Sequence, residues 1–249
     1  MNVLVTGAAS GLGEALARRA QARSRHVIGL DRAWPGGDRP DDKIIRLTRD
    51  LADLKPEDPI TDILEHAPYV TVILNAAISA TGPFETIPEE VHRRVTDVNL
   101  TAPVLIIKRL LEANALPPGA SIVLVSSLSV RTGYPGAASY AASKAALASL
   151  GTSMRRLLKW EGIHVMTVFP GPMRTAQAER HAPPDAKAES RMDPDAVARN
   201  LYFQLDRRFA EFVPGTQNQL VSASAKLAPG LFDRIMRKII YDKLDRSVY

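Results

Sequence analysis

The stretch Val3-Leu4-Val5-Thr6-Gly7-Ala8-Ala9-Ser10-Gly11-Leu12-Gly13 carries an apolar, β-prone run into three glycines and then into helix-forming sequence that reaches Ala22. In such a turn glycine lets the backbone bend tightly, leaves room for a pyrophosphate and lets the helix pack close to the strand. The helix N-terminus offers free N–H groups and a positive dipole to the anion. A second apolar run, His26 to Leu30, ends at Asp31, eighteen residues beyond Gly13. A carboxylate about 20 residues past the glycines is placed to accept hydrogen bonds from an adenosine ribose diol and to repel a 2′-phosphate. The spacing therefore points to a dinucleotide, and to NAD over NADP. Arg32 pulls the other way, since its guanidinium suits a phosphate, and Ser10 adds no charge there.

The alternation of strand and helix continues along the chain. Short apolar runs at Ile44 to Leu47, Val70 to Leu74, Ile122 to Val125 and Val165 to Phe169 lack strict alternation, as do strands buried on both faces of a parallel sheet. Helical patterns fill Gly13 to Ala22, Glu89 to Glu112, Ser139 to Trp160 and Asp195 to Arg208. Asp193-Pro194 marks the start of the last with an N-cap and a first-turn proline. The pattern predicts an α/β fold, a doubly wound parallel sheet of Rossmann type, with ligands outside the carboxyl ends of the strands. Met173 to Asp193, a polar segment at that edge with Pro183-Pro184, fits a mobile lid and an ordinary long loop equally.

Composition narrows the function classes. The 249 residues are 45% apolar and 24% charged, ordinary globular usage for one domain. A formal charge of +5 is modest and scattered, without the basic run a nucleic-acid partner needs. With no cysteine there is no disulfide, thiolate zinc site or cysteine nucleophile, and the five histidines lack metal-ligand spacing. The charge-free run Ala67 to Phe84 holds Asn75, Gly82 and two prolines, so it reads as a strand and loop rather than a membrane span. The opening residues lack a basic region followed by a cleavable apolar stretch, and a cytoplasmic location is the expectation.

Tyr140 and Lys144 stand four residues apart on a predicted helix and share one face. Six tyrosines and nine lysines give about 0.2 such pairs by chance, and requiring Ser127 thirteen residues before the tyrosine leaves roughly 0.01. A phenol titrating near 10 needs a nearby cation to do acid/base work at neutral pH.

With these motifs in order, the sequence resembles the single-domain short-chain dehydrogenases/reductases from Met1 to about Gly215. The family's T-G-x-x-x-G-x-G stands at Thr6 to Gly13, so Gly7, Ser10, Gly11, Leu12 and Gly13 become cofactor-binding candidates beside Asp31 and Arg32. Asp50-Leu51 matches the adenine-contacting pair, Asn75-Ala76-Ala77 the turn after the fourth strand, and Pro170-Gly171-Pro172-Met173-Arg174-Thr175 the motif near the nicotinamide carboxamide. In the last, Pro170, Gly171, Met173 and Thr175 are the candidates. Ala77 stands where the family has glycine, and Met173 where it has valine. The resemblance implies a catalytic set of Asn99, Ser127, Tyr140 and Lys144. In it Tyr140 exchanges a proton with the substrate oxygen, Ser127 bonds that oxygen, Lys144 also holds the nicotinamide ribose, and Asn99 anchors a water. It further implies NAD(P)-dependent hydride transfer on a small alcohol, ketone or aldehyde. A catalytically silent dinucleotide-sensing regulatory or scaffold protein is the alternative.

The family's closing G-x-x-x-x-x-D-G-G is absent, and the chain divides into a catalytic domain over residues 1–215 and an extension over 216–249. From Leu227 onward, Leu231, Phe232, Ile235, Met236, Ile239 and Ile240 fall at helical spacing within a basic stretch. That pattern fits packing on the domain or a partner subunit, and also a membrane-surface helix. The long helices offer more apolar positions than one buried stripe requires, so the expected assembly is a homodimer rather than a tetramer.

Overall fold

The structure is a computed structural model that describes residues 1–35, 44–182, 189, 191–227, 229–243 and 247–249. Strands β1 (Asn2–Thr6), β2 (His26–Asp31), β3 (Ile44–Thr48), β4 (Tyr69–Leu74), β5 (Ser121–Val125), β6 (His164–Val168) and β7 (Glu211–Phe212) form one parallel sheet in the order β3-β2-β1-β4-β5-β6-β7. The order reverses between β1 and β4, the place where an open doubly wound sheet keeps its ligand crevice. Six strands coincide with the predicted runs. The two-residue β7, at the edge beside β6, lies in sequence that carries no closing signature.

Successive residues of each strand feed opposite cores, as the two-residue period requires. Leu4, Ile28, Val72, Leu74, Ile122 and Leu124 face helices α4 (Ala102–Glu112) and α6 (Ala138–Leu158), meeting Ile106, Leu110, Leu147 and Leu158. Val3, Val5, Val27, Ile73, Val123 and Val168 face α1 (Gly11–Gln21) and α8 (Pro194–Asp206), meeting Leu12, Leu16, Val197 and Leu201. Helix α8 starts as its sequence signals: the Asp193 carboxylate accepts from the Ala196 amide at 3.1 Å, and Pro194 occupies the first turn, where no amide is needed.

The predicted single helix Glu89 to Glu112 is in fact two. Helix α3 (Glu89–Thr96) passes through a π-turn at Asp97–Thr101, closed by the Ala102 amide on the Asp97 carbonyl, before α4 begins. The wider turn inserts a residue at the level of the site, a common place for such turns. The shorter elements are α2 (Thr61–Leu64), α5 (Ser129–Thr132) and α7 (Ala176–Arg180). Beyond β7 come α9 (Thr216–Leu227) and α10 (Pro229–Ile239), so a further helix precedes the one drawn from Leu227. Both pack on α5 and on each other. Of the tail stripe, Ile240 is buried and Met236 half-buried, while the side chains of Leu231, Phe232 and Ile239 lie outside the described residues. No described helix is long and apolar enough to cross a membrane. Of the surplus apolar positions on the long helices, Val95, Val98, Ala102, Ile106, Leu147 and Leu158 are buried in this chain's own core, whereas Leu157 on α6 is 60% exposed.

Candidate active site

The glycine turn is built for close approach. Gly7 takes φ +68° and donates its amide to the Leu30 carbonyl at 2.7 Å, turning the chain off β1. At Gly13 a Cβ would sit 1.8 Å from the Gly7 carbonyl oxygen, so no other residue fits. Thr6 ties this turn to the next strand: its hydroxyl accepts from the Asn75 and Ala76 amides, each at 3.0 Å. Asn75 returns the clamp, its amide donating to the Thr6 carbonyl at 3.0 Å and the Gly7 carbonyl at 3.4 Å. Ala77 follows on the same turn. Ser10, exposed, caps α1 in extended conformation without a side-chain bond to the helix, and Leu12 is buried beneath it.

Asp31, at the end of β2, is aimed at the same turn. Its carboxylate accepts from the Ala9 amide at 2.9 Å and the Arg32 amide at 2.7 Å, while the Arg32 side chain is exposed. Asp50 caps a short 3₁₀ turn by accepting from the Ala52 amide at 2.9 Å and pairs with Arg94, and the adjacent Leu51 is buried. On the far side, the Pro170 carbonyl accepts from Leu128, the residue after Ser127, at 2.8 Å. Met173 and Met192 form a parallel bridge that closes the base of the segment between them. Thr175 caps α7, accepting from the Ala178 amide at 3.1 Å, and its methyl group lies over Gly11. The lid-or-loop segment is thus pinned at its base and begins as a helix; residues 183–188 and 190 lie outside the described residues.

Tyr140, Lys144, Ser127 and Asn99 come together at the carboxyl edge, near the crevice. Tyr140, half-buried on the first turn of α6, packs against Ala80, Ile87 and Val95. Burial raises its phenol above the usual value, and the hydrogen bond with Ser127 acts against that rise. Lys144 lies one turn on, 1% exposed, with Nζ 5.9 Å from the Tyr140 ring centroid and donating to the Val125 carbonyl at 2.7 Å. Burial drops its ammonium to about 7. The lowered phenol that the tyrosine–lysine spacing suggests is therefore not produced by these side chains alone. A neutral phenol is a proton donor, and an ammonium near 7 is ready to change charge with its surroundings.

Asn99 is fully buried in the π-turn. Its Oδ1 accepts from the Ile78 amide at 2.9 Å, and its Nδ2 donates to the Ile78 carbonyl at 3.0 Å and to the Ser143 hydroxyl at 3.0 Å. The amide thus locks the loop after β4 to the catalytic helix. Ser126 and Ser143 escape the sequence reading, and Thr6 enters it only as the first letter of the glycine motif. The Ser126 hydroxyl donates to the Lys144 carbonyl, and that of Ser143 to the Tyr140 carbonyl, both at 2.8 Å. Their only sequence signal is position, each next to a motif residue.

A family model described as short chain dehydrogenase matches residues 1–185. This chain belongs to the short-chain dehydrogenase family. Among its relatives, 3beta-hydroxysteroid dehydrogenase 1 of Eggerthella lenta is 30% identical over 92% of this chain and 94% of its own length. Dehydrogenase/reductase SDR family member 4 of Bos taurus is 31% identical over 70% of this chain and 66% of its own. A solved 4-hydroxyisoleucine dehydrogenase complexed with NADH is 26% identical, with a TM-score of 0.73 over 85% of this chain and 96% of that one. A short-chain dehydrogenase from Burkholderia cenocepacia in complex with NADP shares the fold at 21% identity, with a TM-score of 0.77 over 96% of both chains. Short-chain dehydrogenases are oxidoreductases, and a nicotinamide dinucleotide is the cofactor that these solved neighbours hold. The cradle fits such a group: three glycines leave its floor open, α1 turns its N-terminus toward it, and Asp31 stands at the end of β2 beside it.

Proposed function

We propose that this chain is an NAD-preferring dehydrogenase/reductase acting on CH–OH and C=O groups of a small molecule. The observation that carries the proposal is the grouping of Tyr140 and Ser127 with the buried Lys144 one turn on, at the sheet edge beside the glycine turn. In this reading Gly7, Ser10, Gly11, Leu12 and Gly13 take the pyrophosphate, Asp31 the adenosine ribose, Asp50 and Leu51 the adenine. Asn75 to Ala77, Pro170, Gly171, Met173 and Thr175 line the nicotinamide side, with Tyr140 and Lys144 on its ribose. The nicotinamide, when bound, gives or takes the hydride.

The protein side chains handle the proton. In reduction the Tyr140 hydroxyl donates to the carbonyl oxygen as that oxygen gains charge, and in oxidation Tyr140 takes the proton back. Ser127 donates a hydrogen bond to the same oxygen and fixes its position. Lys144, once charged, stabilises the phenolate left behind, and an ammonium with its value near 7 changes state readily at neutral pH. Asn99 serves a proton path outward while its side chain holds Ile78 and Ser143. Asp31 supports NAD, since two backbone amides hold its carboxylate beside the glycine turn, where a 2′-phosphate on the adenosine ribose would meet its charge. Screening alcohols and ketones with each cofactor, while following reduced nicotinamide absorbance, tests the proposal. Turnover with NAD is expected, and no turnover across a broad panel would leave the silent dinucleotide sensor.

A further inference from the structure

The residues beyond β7 meet the site at three points that the catalytic set does not explain. In α9, Asn218 donates to the Pro214 carbonyl at 2.9 Å and approaches Met192 Sδ at 3.2 Å. A Cβ at Gly171 would come within 2.6 Å of that Asn218 side chain, so α9 rests directly on the Pro170–Pro172 turn. Next, α9 and α10 both pack on α5, which begins two residues after Ser127. Last, Val248 pairs with Thr81 in both directions, the Thr81 amide donating to the Val248 carbonyl at 2.9 Å and the Val248 amide to the Thr81 carbonyl at 2.8 Å. The hydroxyls of Ser247 and Thr86 add a 2.6 Å contact.

Thr81 is itself a junction. It is 2% exposed and lies three residues after Ile78, the residue clamped by Asn99. The next amide, Gly82, donates at 2.9 Å to the Gly136 carbonyl, in the turn leading to Tyr140. The Thr81 hydroxyl bonds His181 Nδ1 at 3.1 Å, just past α7. The loop after β4, the approach to the catalytic helix, the segment after β6 and the last residues of the chain thus converge beside Tyr140. Gly82 has φ +144°, and a Cβ there would fall 2.9 Å from the Ser247 Cα, so the loop is shaped to receive this strand.

We infer that Ser247–Tyr249 form a strap across the substrate entrance, latched on Thr81, which admits compact alcohol or carbonyl compounds and restricts bulky ones. The inference rests on the proposed reaction for the nature of the substrate. The strap itself can be tested without turnover.

The chain has no cysteine, so Ser127→Cys places a single thiol at the site. Its alkylation by iodoacetamide and by a bulky dye-linked maleimide measures the width of the entrance. Two further changes are made in that background: Val248→Pro, which removes the donor to Thr81, and deletion of Ser247–Tyr249. Deletion is expected to raise the bulky-to-small rate ratio by about tenfold, with Val248→Pro giving a smaller rise in the same direction, as local opening predicts. An unchanged ratio in both variants overturns the strap. So does an equal rise for both reagents, since that reports loosening of the whole site. A parallel series of ketones of increasing bulk, run with Ser127 intact, is expected to shift its kcat/KM preference toward the larger members. If no ketone turns over while the thiol ratio still rises, the strap stands and the proposed reaction falls.

Discussion

Two buried threonines sit at the carboxyl edge of the sheet, and they are held in different ways. The Thr6 hydroxyl bonds backbone amides of the neighbouring strand end, across the point where the strand order reverses. Thr81 gathers segments from distant parts of the chain, His181 and Val248 among them. The first arrangement leaves a cradle whose shape is fixed by the backbone and glycine. The second leaves a mouth whose walls come from loops and the tail. A fold can thus keep one cofactor site while changing what enters beside it.

The sharpest way to separate the two regions is Tyr140→Phe, which removes the proton and leaves the cradle alone. Turnover is expected to fall by about a thousandfold, with cofactor affinity within about twofold of the parent. Single-turnover absorbance and a cofactor titration check both, and activity above about a tenth of the parent would break the assignment. Gly13→Ala does the reverse. A methyl group 1.8 Å from the Gly7 carbonyl forces the turn open, and cofactor affinity is expected to drop by about a hundredfold or more, read by the same titration. Gly82→Ala, a glycine-to-alanine change of the same kind at the mouth, is expected to move substrate KM and leave cofactor affinity nearly constant.

Smaller effects refine the comparison. Asp31→Ser is expected to narrow or reverse the NAD preference by about tenfold or more in the ratio of kcat/KM for the two cofactors, with Arg32 assisting. A parent that already prefers NADP would show that Arg32 outweighs the carboxylate. For Lys144, the unfolded chain stays protonated up to the ordinary 10.5 and the folded chain only to about 7. Between these values the unfolded state binds the extra proton, so this residue's contribution to stability rises with pH; below about 7 it is flat. The urea midpoint of the cofactor-free parent, compared with Lys144→Met from pH 6.5 to 9.5, is expected to gain on the variant as pH increases. The smallest effect belongs to assembly. If the parent pairs through the exposed face of α6, its light-scattering mass is that of a dimer and Leu157→Glu there is expected to halve it while changing activity by only a few-fold; a monomeric parent refutes the pairing.

Much of the cradle was legible in the sequence because its signals are local. The β1 run, the glycines and Asp31 lie within thirty-one residues, and each spacing has one geometric meaning. Asn75 shows where that legibility thins: a strand-end asparagine reads as a cofactor contact or a turn former, and its amide is in fact engaged with Thr6 and Gly7. The π-turn stayed hidden because one extra residue in an apolar helix hardly disturbs its periodicity. At two residues, β7 is too short to show a period at all. The mouth was least legible, since Thr81 and Val248 meet through a single backbone bridge with no pattern on either side.

The Thr6 clamp has a thermodynamic consequence. Because it bonds β1 to the turn after β4 through protein groups alone, the crevice between those strands does not need a dinucleotide to hold its shape. Little chain ordering is then charged against the binding free energy. The heat-capacity change on binding should track the apolar surface that the ligand covers, without the excess that accompanies coupled folding.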